Sequence, residues 1–169
     1  MPAHSNQRSV LAYIGLGANL GAASSTMHAA IDALANSPDI TLLQASSFYA
    51  SAPVDAPGPN YTNAVISIET TLDATALLEL IQHIEQQHGR ERSFRNAPRT
   101  LDLDLLWFDN QTIDLPQLTV PHPRAHQRAF VLMPWGDIAP SDFFLGHAGQ
   151  SKTLSAWFET IRDQICLKT

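Results

Sequence analysis

The chain carries a single cysteine, Cys166, so an intramolecular disulfide is excluded and no thiolate metal cluster can form. Its expected role is that of a small apolar residue in a terminal helix. Long apolar runs are also missing: nothing approaches the roughly 20 residues that cross a bilayer. Met1 to Ser9 is polar and lacks the apolar stretch of a signal peptide, which makes the cytoplasm the expected location. Basic residues are scarce, with Arg8 the only one before residue 90, and the net charge is −6. That balance argues against a general nucleic-acid binder. No GxxxxGK[ST] run exists, and Gly15-Leu16-Gly17 lacks the remaining glycine of GxGxxG. A P-loop or Rossmann site is therefore unsupported.

What is present describes an ordinary globular protein. A length of 169 residues with 44% hydrophobic content favours one domain with a sizeable core. Six of the eight arginines fall between Arg90 and Arg128: Arg90, Arg92, Arg95, Arg99, Arg124 and Arg128. Arginine concentrated in one segment of an acidic chain suggests an anion site, phosphate included; charge alone also fits a solvated loop.

Val10 to Leu16 is apolar and β-prone, and predicts a buried first strand. Ser24 or Ser25 can cap a helix on which Met27, Ala30, Ile31 and Leu34 follow helical spacing, ended by Asn36-Ser37-Pro38. Ile40 to Tyr49 reads as a second strand, and Ala52 to Asn60 as a Pro/Gly loop. Tyr61 to Thr71 predicts a third strand with Ala64, Ile66 and Ile68 on one face. Asp73 caps a long helix lined by Leu77, Leu78, Ile81 and Ile84, with Gly89 closing it. Leu101 to Phe108 predicts the fourth strand, with Thr112 to Leu115 pairing briefly beside it. Pro121-His122-Pro123 precedes a helical stretch through Met133, and Leu154 to Ile165 reads as a terminal helix. The order β-α-β-β-α-β is that of a ferredoxin-like α+β sandwich with additional C-terminal elements.

The sharpest chemical signal is Leu101-Asp102-Leu103-Asp104-Leu105. Side chains alternate across a strand, so the leucines share the core face and the two aspartates the other. Neighbours on one strand face lie about 7 Å apart, close enough to share metal ions about 4 Å apart. Oxygen-only ligands suit Mg²⁺, whose remaining positions are filled by water and phosphate. On these residues alone a solvent-facing strand edge is an equal alternative. The arginine loop directly upstream, with Arg99 three residues before Asp102, adds the charge that phosphoryl transfer uses. His122, in a proline-stiffened turn, can donate to a phosphate or serve structure only.

Five segments, in this order, resemble the hydroxymethyldihydropterin pyrophosphokinase family. They are Ala12 to Leu20, Ser46 to Tyr49, Tyr61 to Ala64, Pro98-Arg99-Thr100-Leu101-Asp102-Leu103-Asp104, and Leu118 to Arg124. The resemblance covers roughly Ala12 to Pro140. It implies a single pyrophosphokinase domain over residues 1–169, with its core at about 10–140. It further implies transfer of pyrophosphate from ATP to 6-hydroxymethyl-7,8-dihydropterin in folate biosynthesis. Asp102 and Asp104 would bind two Mg²⁺ ions. Arg90, Arg92 and Arg99 match the family's catalytic arginines. The same three, with Gln82, Glu85, Leu105, Thr119, His122 and Arg128, match its nucleotide site. Tyr61 and Phe130 match residues that stack on the pterin, Asn63 the amide that reads its edge, and Gly17, Ser51, Ala52 and Val54 the surrounding wall. The expected partners are these two small molecules, with no nucleic acid or membrane, and the expected state is a monomer. The sequence departs from the family pattern near Asn96, where some members carry tryptophan. It departs again at Ser51, Ala52 and Gln117, where threonine, proline and arginine occur.

Overall fold

The computed structural model describes residues 7–19, 22–52, 60–88 and 101–169. At its centre is β1 (Val10–Ala18), a strand whose apolar residues point both ways. Ala12, Ile14, Leu16 and Ala18 enter one core, and Tyr13 enters another on the opposite face. A strand buried on both sides reads as a near-continuous apolar run, which is what Val10 to Leu16 presents.

Helix α1 (Ala23–Ala35) follows, then β2 (Ile40–Ala45), β3 (Tyr49–Ser51) and β4 (Tyr61–Thr70). Helix α2 (Ala74–Gln87) and β5 (Asp102–Phe108) complete the βαββαβ unit. β4 and β5 flank β1, both antiparallel, and β2 and β3 succeed each other along the far edge of β4. The α1 and α2 stripes (Met27, Ile31, Leu34; Leu77, Ile81, Ile84) pack against Ile14, Ile66 and Leu103 in the first core. This is the ferredoxin-like sandwich that the element order predicts.

A further layer covers the other face. The chain reaches it through hairpin β6 (Ile113–Leu115) and β7 (Leu118–Val120), whose Leu118 and Val120 still belong to the first core, and a cis Val120–Pro121 bond that leads to a short 3-10 helix, Ala125–Gln127. Then come α3 (Ala129–Ile138), hairpin β8 (Phe144–His147) and β9 (Gln150–Thr153), α4 (Leu154–Glu159) and β10 (Cys166–Lys168). Leu132 and Trp135 of α3 and Trp157 of α4 meet Tyr13, Val65 and Leu106 from the sheet.

Several boundaries differ from the sequence reading. Neither Ser24 nor Ser25 caps α1; Ala22 does, with no side-chain hydrogen bond. The second strand is two, because Ser46 interrupts the ladder: its N–H donates to Val65 O at 2.9 Å and its hydroxyl accepts from Val65 N–H at 3.0 Å. Residues 113–115 pair with β7 instead of β5. The helix after Pro123 starts only at Ala129 and runs past Met133 through Pro134. The terminal helix stops at Glu159, and Cys166 lies buried in β10, paired with Ser51, so it is a strand residue. Asp73 caps α2 as expected, its carboxylate accepting from Ala76 N–H at 2.8 Å. Leu78 is only half-buried. Gly89 and residues 53–59 lie outside the described residues.

Candidate active site

Strand register builds the floor of the site. Asn63 on β4 sits opposite Gly17 on β1, and Gly17 sits opposite Asp102 on β5. The next row, one pleat along, is Val65, Gly15 and Asp104. With strands about 4.8 Å apart, an amide and a pair of carboxylates stand about 10 Å from each other across glycines that carry no side chain. Glycine inside a strand marks a close approach to the backbone. A β-carbon on Gly17 would stand 3.4 Å from Asn63 Oδ1 and 4.0 Å from Tyr61 Cδ1.

Above this floor is a cleft of about 220 Å³. Gly17, Ser51, Ala52, Tyr61, Asn63 and Phe130 line it together with Asp102, Asp104 and Arg128. The structure thus gathers residues that the sequence holds more than 110 positions apart. Gly15, Leu16, Ala64, Leu106 and Val131 also line it and were not anticipated. For Gly15 a signal existed: it is the period-two neighbour of Gly17.

Asn63 is buried, and its amide nitrogen donates to Ser51 Oγ at 2.8 Å and to Tyr49 O at 3.5 Å. Its oxygen faces Gly17 and the cleft. Across the floor, Asp102 and Asp104 are half-buried while Leu101, Leu103 and Leu105 are in the core, as the period-two pattern requires. The Leu103 N–H, on the strand edge away from β1, donates to Glu85 Oε1 at 2.7 Å. A buried carboxylate on α2 therefore fixes the strand that carries both aspartates. Arg128 and Phe130 form the opposite wall, the guanidinium carbon 5.4 Å from the phenyl centroid.

His122 is half-buried, and its backbone N–H donates to Leu106 O at 2.9 Å. Burial above all, then the Arg128 charge, lowers its pKa to about 4, with Asp102 pulling the other way. Its Nδ1 accepts from Arg124 N–H at 3.1 Å. The neutral ring consequently carries its proton on Nε2, where it can be donated.

The remaining expected positions are scattered. Gln82 is exposed on α2, and the Leu105 side chain is in the core, which leaves only its backbone for a ligand. Thr119 is exposed on β7, along a separate open groove. Val54, Arg90, Arg92 and Arg99 lie outside the described residues. Among the described residues, no group of three or more His, Cys, Asp or Glu side chains could hold a metal. Two carboxylates alone fit a hard cation that takes its other ligands from water and substrate.

A glycine floor between an amide and paired carboxylates, walled by an arginine and two aromatics, makes this cleft the candidate site. The family model for 7,8-dihydro-6-hydroxymethylpterin-pyrophosphokinase matches residues 13–140, and the chain belongs to that family. It is a pyrophosphokinase, transferring pyrophosphate to hydroxymethyldihydropterin in folate biosynthesis. Enzymes of this family use ATP as co-substrate.

The chain is 43% identical over 129 residues to the 2-amino-4-hydroxy-6-hydroxymethyldihydropteridine pyrophosphokinase of Pseudomonas aeruginosa, covering 76% of this chain and 80% of that one. It is 43% identical over 137 residues to the Haemophilus influenzae enzyme of the same name, covering 80% and 85%. Among solved structures it resembles wild-type Plasmodium falciparum HPPK-DHPS with pteroate (TM-score 0.70, 13% identity). That match covers 90% of this chain and 42% of the other, so this chain spans less than half of the larger protein. At that identity the likeness concerns the fold.

Proposed function

We propose that Asp102 and Asp104 hold two Mg²⁺ ions, and that the pterin lies over Gly17 between Asn63 and these carboxylates. The observation that carries this reading is the cross-strand row of Asn63, Gly17 and Asp102. Asn63 Oδ1 accepts from the N–H edge of the pterin, while Tyr61 and Phe130 stack on its faces. Ser51 and Ala52 close the wall, so the hydroxymethyl arm points along the floor toward the aspartates; Val54, outside the described residues, is assigned to the pterin on the family resemblance alone.

The reaction is in-line attack of that hydroxymethyl oxygen on the β-phosphorus of ATP, with AMP leaving. Magnesium, when bound, supplies neutralisation of the triphosphate charge. Arg128 and the Nε2–H of His122 donate to phosphate oxygens, and Arg90, Arg92 and Arg99 balance charge as the transferred group moves. Glu85 holds β5 in place. Gln82, the Leu105 backbone and Thr119 form the nucleotide's outer contacts. No general base is assigned.

We further propose that residues 1–169 act as one cytoplasmic, monomeric domain without nucleic-acid partners. No helix among the described residues is long and apolar enough to cross a membrane. The reaction is tested by incubating the protein with Mg²⁺, ATP and 6-hydroxymethyl-7,8-dihydropterin and resolving the nucleotides. AMP and pterin diphosphate should form in equal amounts; ADP as the product would overturn the scheme.

A further inference from the structure

Arg128 occupies an awkward place in the backbone. It ends the 3-10 helix and begins α3 in an extended conformation, φ −123° and ψ 111°, and its side chain caps nothing. Its carbonyl accepts from Val131 N–H at 3.0 Å and Leu132 N–H at 2.9 Å, which settles that side of the first turn. The Ala129 N–H is one of the orphan donors that every helix N-terminus exposes. It is met from 35 residues away, by Gln164 Oε1 at 3.0 Å. The same side-chain amide donates through Nε2 to Gln127 O at 2.8 Å. Gln164 thus bonds the residue before Arg128 and the residue after it.

Gln164 is itself anchored. Its N–H donates to Ile161 O at 3.0 Å in the turn after α4, and two residues later Cys166 pairs with Ser51. Beside it, Ala129, Tyr49 and Cys166 form a small core. Gln164 lies beyond residues 13–140, the stretch that the family model covers.

We propose that Gln164 is a positioning residue for the transfer reaction, clamping the backbone on both sides of Arg128 so that Arg128 and Phe130 face the cleft. It acts through Arg128 and touches no substrate. The inference rests on the reading that Arg128 belongs to the nucleotide site.

The test is a double-mutant cycle on the full chain, with kcat and both KM values measured for Gln164→Ala, Arg128→Ala and the double variant well below their melting temperatures. Gln164→Ala should lower kcat/KM about five-fold, which corresponds to about 1 kcal/mol of lost transition-state stabilisation. Combined with Arg128→Ala it should add little, since both changes remove one function. Gln164→Glu keeps the acceptor for Ala129 N–H and should recover part of the loss, which covers the case in which the alanine variant folds poorly. Fully additive losses would overturn the clamp, as would near-parental kinetics in both Gln164 variants while Arg128→Ala is impaired; the site reading survives either result. Near-parental kinetics in Arg128→Ala would overturn both.

Discussion

The amide of Asn63 is locked by the hydroxyl of Ser51, 2.8 Å away on the adjacent strand, so its oxygen is turned toward Gly17 and the cleft. The bond decides which face of the amide a substrate meets. Asn63→Ala removes that acceptor and should weaken pterin binding by about 1–3 kcal/mol while ATP binding holds. Calorimetry with each ligand separates the two; a selective loss of ATP affinity would reassign Asn63 to the nucleotide.

Gly17→Ala asks a different question of the same spot. The added methyl would sit 3.4 Å from Asn63 Oδ1, an ordinary contact, and Gly17 has no left-handed backbone to strain. The fold should therefore tolerate it, with a melting temperature equal to or above the parent's. The methyl nevertheless projects into the space proposed for the pterin. KM for the pterin should rise about tenfold, on the scale of overpacking costs, while KM for ATP stays within a factor of about two. A parental pterin KM would mean that the ring does not lie over Gly17.

His126 supplies a pH dependence. It is buried in the 3-10 helix and stacks on His147 with ring centroids 3.6 Å apart. Burial, then His147, holds its pKa below the ordinary 6.5. Below pH 6.5 the unfolded chain therefore binds a proton that the folded chain refuses. Stability is complete above that value and falls as the pH drops. Denaturant unfolding of the parent should show this slope, to which His122 contributes with the same sign, and His126→Phe, which keeps a ring in the stack, should reduce it. Equal slopes in both proteins would exclude His126 as a source.

Much of this was legible in the residues, for local reasons. Period-two alternation in Leu101 to Leu105 is strong enough to assign both faces of β5, and Asp73 announces α2 because capping chemistry is local. Ser46 breaking its strand was not legible, because the Val65 backbone that it bonds is 19 residues away. The same holds for β10, whose three residues owe their conformation to β3 and not to their own propensity. Within the site, Asp102, Asp104, Asn63, Tyr61 and Phe130 could be named from sequence and do share a cleft. Gln164 could not, because nothing near it in the chain hints that it serves Arg128. The expectations for Arg90, Arg92, Arg99 and Val54 lie outside the described residues.

On the proposed reading, the two strand aspartates serve a metal and not the fold. Asp102→Asn and Asp104→Asn are nearly isosteric, and each removes a charged oxygen ligand without changing the leucine face beneath. The most direct measurement is AMP release at saturating Mg²⁺, ATP and pterin, alongside a thermal melt of each variant without ligands. Turnover should fall at least about a hundredfold in both, with melting temperatures within a few degrees of the parent's. Turnover within a few-fold of the parent in both variants would contradict the metal site.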